Sequence, residues 1–480
     1  MQTFDFSKFV LYKWRYVIGY ISIGLILIGS LVFAGLYLPE GLAKEEMRSV
    51  AISQSIDFSQ PSTLAVPNLP FHLFQNFVLN IFGISNFTIK LPALIIAFVT
   101  AIGMVGLLRR WFRPSIAILA SLIAVTTSQF LYIAQLGTPE ILYIFWPIAL
   151  LFLGTQVTRT KRLRLFWKIL FSISAALSLY TPLGIYTLLA IALAVALHPH
   201  LRAILRRLSR VRLAGITVLF LTLIAPIFWL AVLNSSLVTY LLGGPFTWPV
   251  PLANNFMQII SSFALFWQQS VSAPITPIFG LGSVLIIGLG IYRIFRTRDT
   301  TRSYLLICWC VWIIAILLLN PVHTTIVYAP AILLLTAGLQ SLITYWYRLF
   351  PRNPYARIAG LIPITILVIA SIGMGASRYA YGYYYTPAVV QLFSKDLQLL
   401  PAETTSMQVG EQERAFWQAV AGYKQTINLT NTPNTEHYVL SRQAAIDANK
   451  IVDGYELKKI ITSSLSSGAD RWYVYQKVAE

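Results

Sequence analysis

Acidic residues are scarce in this chain. Of its 480 residues only 17 are Asp or Glu, against 36 Lys and Arg, and charged residues of both signs make up 11%. That is too little charge to clothe a soluble domain, in which about a quarter of residues are charged. Cysteine is almost missing as well. The two present, Cys308 and Cys310, lie inside the apolar run 305–310, which excludes a disulfide framework and a zinc site and leaves them facing lipid or a neighbouring helix. No small-residue cleavage site follows the first apolar run, 16–38, and that run is too long for the core of a signal peptide, so it reads as a retained membrane helix. Internal repeats and low-complexity tracts are also lacking. What is abundant is hydrophobicity: 57% of residues are apolar and the mean hydropathy is +0.68, the composition of a polytopic membrane protein. The formal charge of +19 lies in short clusters between apolar runs rather than on one basic face. It therefore reads as membrane topology, with no nucleic acid implied as a partner.

Crossing a bilayer takes about 20 apolar residues in a helix, and by that measure the chain offers about eleven spans. Lys8, Lys13 and Arg15 precede the first, which predicts a cytoplasmic N-terminus and places 39–57 outside. The later spans fall at 91–108, 115–133, 141–157, a hairpin turning at 180–184, 214–233, 277–295, 303–319, a helix opening at 320–325, and 358–377. Arginine-rich loops alternate with neutral ones throughout, and an odd count leaves the C-terminus outside. Two apolar stretches are too polar to span. Residues 41–56 read as a short helix at the membrane surface, and 71–82 as a second interfacial or partly buried helix. The long outer segment 234–276 includes an apolar stretch, 256–267, that suits the interface, and segments of that length tend to be functional. A tyrosine collar at 379–385 closes the last span as an interfacial belt. Beyond it the chain turns polar, with strands expected at 406–409, 426–429, 437–441 and 471–478 and helices at 411–422 and 443–451. The fold class is thus an all-α polytopic membrane domain, 1–377, carrying the first outer loop 39–69, followed by a small extracytoplasmic α/β domain, 378–480. Sequons at Asn86, Asn234 and Asn428 fall on outer segments.

Because acids are scarce, their placement carries information. Glu40, Glu45 and Glu46 crowd the start of the first outer loop, and Glu140 follows Gly137-Thr138-Pro139 at the outer end of the third span. A carboxylate within reach of a hydroxyl can accept its proton, and partial burial would strengthen it as a base. Arg48 lies one helical turn after Glu45, so one helix could present a base and a phosphate clamp together. The bland alternatives are a solvated salt-bridged helix at 44–48, worth about 0–1 kcal/mol per pair, and a plain helix start at Glu140 with Thr138 as N-cap and Pro139 at the first position. His323, at the mouth of the tenth span, and His72, among the amides of 71–82, are further polar candidates. Lys90 could meet a lipid phosphate or snorkel to the interface.

The order of these features, a helix, an acidic pair, a Pro-containing short helix, the segment 82–94 (Phe-Gly-Ile-Ser-Asn-Phe-Thr-Ile-Lys-Leu-Pro-Ala-Leu) and a Thr-Pro-acid corner, resembles the GT-C glycosyltransferases of the protein O-mannosyltransferase and aminoarabinose-to-lipid-A transferase type. The resemblance covers the first 160 residues and fades through the later helices and the C-terminal domain. It implies a glycosyltransferase in the cell membrane with an extracytoplasmic site. The donor would be a polyprenyl-phosphate-linked sugar and the acceptor a lipid, glycan or protein hydroxyl, with membrane lipids as surroundings. Carried onto this chain, Glu45 and Glu46 are the catalytic acids, with Glu45 as general base of an inverting displacement. Arg48, Glu140, His323, His72 and Lys90 are the donor- and acceptor-binding candidates. The chain departs from the family where Thr138 stands in place of an arginine and where no lysine accompanies Pro67-Asn68. Carboxylates on two loops could also hold a divalent cation, a cofactor left open because hard cations want about six oxygen ligands. A transporter or flippase of a polyprenyl-linked or anionic lipid is the competing class, and a catalytically dead scaffold a third.

Overall fold

The computed structural model describes residues 10–37, 41–160, 163–206, 210–244, 246–264, 278–351, 353–385, 392–401, 404, 406–424, 427–430, 432–433, 435–447, 452, 454–462 and 470–478. Pro39, Glu40, the basic residues Lys8, Lys161, Arg162, Arg207 and Arg352, and parts of the predicted segments 256–267, 426–429 and 443–451 lie outside that set. In chain order the helices are α1 (Val10–Tyr37), α2 (Lys44–Gln54), α3 (Leu69–Phe82), α4 (Asn86–Trp111), α5 (Pro114–Thr126), α6 (Ser128–Gln135), α7 (Leu142–Arg159), α8 (Arg164–Ser178), α9 (Gly184–Leu197), α10 (Pro199–Arg206), α11 (Arg210–Leu233), α12 (Ser235–Leu241), α13 (Leu252–Ala264), α14 (Leu281–Arg296), α15 (Thr301–Leu319), α16 (Tyr328–Leu349), α17 (Pro354–Tyr385), α18 (Glu411–Tyr423) and α19 (Arg442–Asp447). The strands are β1 (Leu42–Ala43), β2 (Phe393–Lys395), β3 (Ser406–Gln408), β4 (Asn428–Leu429), β5 (His437–Ser441), β6 (Tyr455–Thr462) and β7 (Arg471–Lys477).

All the runs read as spans are helical. Among the described residues six helices are long and apolar enough to cross a membrane, and α5 with α6 makes a seventh, bent by 56°, if counted as one span. Of the remaining four expected spans, α1 is long enough at 28 residues, whereas α8, α9 and α14 are shorter, at 15, 14 and 16. At 1.5 Å per residue those three reach only about 20–25 Å, less than the hydrocarbon thickness of about 30 Å.

The chain divides into two compact units. The membrane unit comprises Met1–Val32, Ile96–Tyr132 and Glu140–Tyr379. The close crossing of α14 on α16 is permitted by Gly290 and Gly338: a Cβ on either would run into the facing backbone carbonyl of Leu334 or Ile286. Small residues at such crossings let backbones approach where lipid gives no hydrophobic drive. At the bend between α5 and α6, Tyr328 Oη donates to the Ala124 carbonyl at 2.5 Å and pairs with Thr127 Oγ1 at 2.8 Å, tying α16 to the break.

The second unit comprises Phe33–Ile95, Ile133–Pro139 and Ala380–Glu480. It thus groups the segment after α1 with the C-terminal region. A five-stranded sheet of order β4-β3-β5-β7-β6 forms its centre, with β3 parallel to both β4 and β5 and the other pairs antiparallel. β1 pairs antiparallel with β2, Leu42 opposite Lys395. One core runs through both parts. Leu42 and Val50 of the first loop, Leu79, Ile84 and Ile89 of the α3–α4 region, and Met407, Phe416, Trp417, Val439 and Trp472 of the C-terminal region belong to a single buried cluster. Polar ties follow the same seam. Asn86 Nδ2 donates to Asp396 Oδ1 at 2.7 Å, and Tyr423 Oη to Asn76 Oδ1 at 2.8 Å. Asn86 is buried, so its sequon presents no free amide for a glycan. Lys395, also buried, pairs at 2.8 Å with both Glu413 and Asp470. Burial alone would lower its pKa, but the two carboxylates outweigh that and hold the ammonium above its usual range.

Candidate active site

β1 delivers the chain to α2 in an extended conformation. The N-cap, Ala43, has no side chain to close the first turn. Glu46 does this instead: its Oε2 accepts the Ala43 N–H at 2.8 Å, half of a capping box. Its Oε1 accepts the Gly137 N–H at 2.7 Å. Lys90 Nζ stands 4.0 Å away, and Glu46 is wholly buried.

Gly137 is gripped from its other side too, since its carbonyl accepts Gln75 Nε2 at 3.0 Å. A Cβ there would lie 2.7 Å from the Ile89 carbonyl oxygen, so only glycine fits. Gln75 spends its whole amide. Nε2 also reaches Ile89 O at 3.2 Å, while Oε1 accepts Ser49 Oγ at 2.8 Å and Ser53 Oγ at 2.7 Å. Ser53 Oγ in turn lies 2.9 Å from His72 Nδ1. The spacing explains the assembly: Glu46, Ser49, Val50 and Ser53 form the buried stripe of α2, and His72 and Gln75 part of that of α3. A polar stripe can be buried because each group finds a partner.

Several expectations change here. Glu46, grouped with the catalytic acids, has both oxygens committed to backbone donors and acts as the internal brace of the loop. His72, a candidate ligand, is an internal residue. Burial pushes its pKa down to about 4, with the hydrogen bond to the Ser49 backbone offsetting only part of that, so the ring is neutral near pH 7. Lys90 does not snorkel. It is 3% exposed, donates to Gln135 Oε1 at 3.2 Å and stands 5.2 Å from the Phe393 ring centroid. Gln75 and Gln135 had no signal of their own in the sequence beyond being amides in apolar stretches.

Glu45 and Arg48 remain on the exposed face of α2, one turn apart. The N-terminus of α2, fixed through Glu46, thus carries one accessible carboxylate and one accessible guanidinium. Glu140 belongs to the membrane unit. It is exposed, in a 3-10 turn Pro139–Ile141 before α7, and its charge acts on Tyr143. The N-cap role read for Thr138 is not realised: its buried hydroxyl makes no hydrogen bond. His323 sits in a kinked turn between α15 and α16, against Tyr143 with ring centroids 6.0 Å apart, and its Nε2 is buried without a hydrogen-bond partner. In the same unit a cavity of about 180 Å³ opens at the α5–α6 bend. Its lining is mostly apolar, with the hydroxyls of Thr127, Ser128, Ser283 and Ser371 and the guanidinium of Arg378 as its polar groups. Arg378 went unremarked in the sequence, although it lies near the C-terminal end of α17 rather than in a basic loop. Among the described residues no three His, Cys, Asp or Glu side chains gather as a metal site.

Residues 67–229 match the family model described as dolichyl-phosphate-mannose-protein mannosyltransferase. A search of curated protein sequences finds no match. Among solved structures, ArnT from Cupriavidus metallidurans is similar at 13% identity and a TM-score of 0.52, over 96% of this chain and 98% of that one; its undecaprenyl-phosphate complex matches at the same identity and score. The Archaeoglobus fulgidus oligosaccharyltransferase tethered to an acceptor peptide is similar at 13% identity and a TM-score of 0.55, over 87% of this chain and 64% of that one. At 13% identity these likenesses show the fold alone, one that the chain shares with ArnT and with the oligosaccharyltransferase.

Proposed function

We propose that this protein is an integral membrane glycosyltransferase that moves a sugar from a polyprenyl-phosphate donor to an acceptor hydroxyl on a lipid, glycan or protein. The reading rests on one observation above the others: an accessible carboxylate, Glu45, on a helix start immobilised by its buried neighbour Glu46. A base must be held still to work, and a carboxylate beside a braced one meets that need. In the reaction the acceptor oxygen attacks the anomeric carbon as its proton passes to Glu45. The bond from that carbon to the phosphate oxygen breaks, and the electron pair leaves on polyprenyl phosphate with inversion at the sugar. Arg48 supplies positive charge for the phosphate as it gains a second negative charge. Glu140 and His323 are the proposed further contacts to donor or acceptor. Within the membrane unit itself, the α5–α6 cavity, with apolar walls and Arg378, suits part of a prenyl-phosphate carrier. The similarity to ArnT, whose structure holds undecaprenyl phosphate, supports that donor class. The basic loops support a cytoplasmic N-terminus and a site on the opposite face, in the cell membrane.

The test uses purified full-length protein with an undecaprenyl-phosphate-linked sugar, reading released undecaprenyl phosphate. Glu45→Gln is expected to lower kcat by roughly 10²–10⁴-fold, the usual worth of a general base. Arg378→Gln should raise the donor KM while Arg378→Lys recovers part of it. Turnover by Glu45→Gln at the wild-type rate removes the assigned base. Transbilayer movement of the carrier without any release of it would favour the transporter.

A further inference from the structure

One end of the membrane unit gathers guanidinium groups without a counter-charge. Arg113 precedes α5, Arg159 closes α7, Arg293 lies in the last turn of α14 and Arg302 in the first turn of α15. Two of them meet at the same helix end: Arg159 donates to the Arg110 carbonyl and Arg302 to the Trp111 carbonyl, in the last turn of α4. Arg302 also stands 5.0 Å from the Phe112 ring centroid. It is within electrostatic range of Arg159 and Arg293, and Arg293 is within range of Arg113. Four elements thus bring four cations around one helix terminus. Arg293 and Arg302 are half-buried, while Arg113 and Arg159 are exposed, so the charge is both partly desolvated and reachable.

The compensation within the protein is small. A helix C-terminus offers about half a negative charge. Among the described residues none of the four arginines makes an ion pair with a carboxylate. In the five basic segments 109–115, 157–168, 198–213, 293–303 and 345–358 the sequence has one acid, Asp299. The positive-inside rule accounts for cations in such loops, but it is met equally by lysine and does not require that they converge. These segments hold 18 of the chain's 24 arginines and two of its 12 lysines. Arginine differs from lysine in the planar fork that binds phosphate oxygens in pairs.

We propose that Arg113, Arg159, Arg293 and Arg302 form a binding site for the phosphate of an anionic phospholipid in the leaflet that faces these loops. This site is independent of the transferase reading and does not use Glu45, Arg48 or Arg378.

The experiment places full-length protein in detergent micelles and titrates phosphatidylglycerol against phosphatidylcholine of the same chains, counting retained lipid by native mass spectrometry. Phosphatidylglycerol is expected to be retained selectively. The double variant Arg113→Gln/Arg293→Gln, which leaves the two carbonyl-capping arginines in place, should weaken its binding at least tenfold. Arg164→Gln/Arg202→Gln, in basic loops but with their guanidinium groups bound to the Thr160 and Ala196 carbonyls outside the cluster, should leave it unchanged, and Arg293→Lys should lose only part of it. Equal retention of both lipids, or equal loss in the two double variants, would mean a diffuse field and no site. Displacement of the lipid by low millimolar inorganic phosphate would overturn the lipid assignment in favour of a soluble phosphoester. Should the first double variant fail to fold, the Arg293→Lys titration still decides between a fork-specific site and a general charge effect.

Discussion

A carboxylate taken wholly out of water must be met on both oxygens or it will be protonated, and Glu46 is met by two backbone N–H groups with Lys90 nearby. Removing it leaves the Ala43 and Gly137 N–H groups without their acceptor and takes the carboxylate from beside Lys90. Glu46→Ala is therefore expected to cost about 3–5 kcal/mol, the usual penalty for breaking a buried pair, seen as a large drop in melting temperature. Replacing both charges, in Glu46→Gln with Lys90→Met, should cost clearly less than the two single changes added together; strict additivity would show that the pair is not coupled. His72 supplies a pH signature. Its folded pKa of about 4 lies below the ordinary value of 6.5, so between those values the unfolded chain binds a proton that the native one refuses. Stability contributed by the neutral ring is thus complete above about pH 6.5 and declines as pH falls toward 4, by on the order of 2–3 kcal/mol. Thermal melts of wild type and His72→Gln from pH 7.5 to 4.5 check this: the variant should show the shallower acid decline. At this scale the sequence made the acidic cluster legible through its rarity. Which of two adjacent glutamates is buried was not legible, because neighbours on a helix point about 100° apart and the covering surface is contributed by residues 75, 90 and 137.

At the scale of elements, α2 is too short and too polar to hold its shape alone. Its stability comes from α3 and α18, and its Val50 shares a buried cluster with Trp417 and Trp472. The two indoles meet edge to face at 5.0 Å. Trp417→Ala opens a cavity in that shared core and is expected to cost about 3–5 kcal/mol. Because the core is continuous, hydrogen exchange should rise in α2 as well as in α18, some 370 residues apart in sequence. Exchange confined to α18 would show that the two helices are stabilised separately. Legibility followed apolar patterning here. β3, β5 and β7 carry buried residues in a readable order, and all three were expected within a residue of their ends. β6 was not anticipated: it is an edge strand with Lys458 and Lys459 at its centre and little burial, so nothing in it alternates, and such charges protect an edge from pairing further. β2 went unseen for another reason, since three residues acquire strand form only through their pairing with β1.

For the whole molecule, hydropathy located the helices, since burial in lipid is written along each run independently of the rest of the chain. The composition of the second unit is written nowhere locally. It assembles three separate stretches of chain, and ties such as Asn86 with Asp396 or Leu397 with Asn86 join residues more than 300 apart. A linear reading therefore set a domain boundary at 377 and left the first outer loop on the other side of it, which has a consequence for truncation. Were residues 378–480 an independent appendage, a chain ending at Tyr385 would keep its stability and lose at most an accessory contact. In the structure that truncation uncovers Leu42, Val50, Leu79 and Ile89, removes the partner strand of β1, and deprives Asn86 of its carboxylate. Several buried side chains at about 1.5–3 kcal/mol each exceed what a loop braced by Glu46 can recover. The truncated protein is expected to insert in the membrane with its helices intact, yet to lose protease resistance across 41–69 and with it all turnover, because the helix bearing Glu45 no longer has a fixed start. Limited proteolysis of the two forms in detergent, read by mass spectrometry, checks this directly. Equal protection of 41–69 in both forms would show that the membrane unit holds the first outer loop by itself and that the shared core contributes nothing to the site.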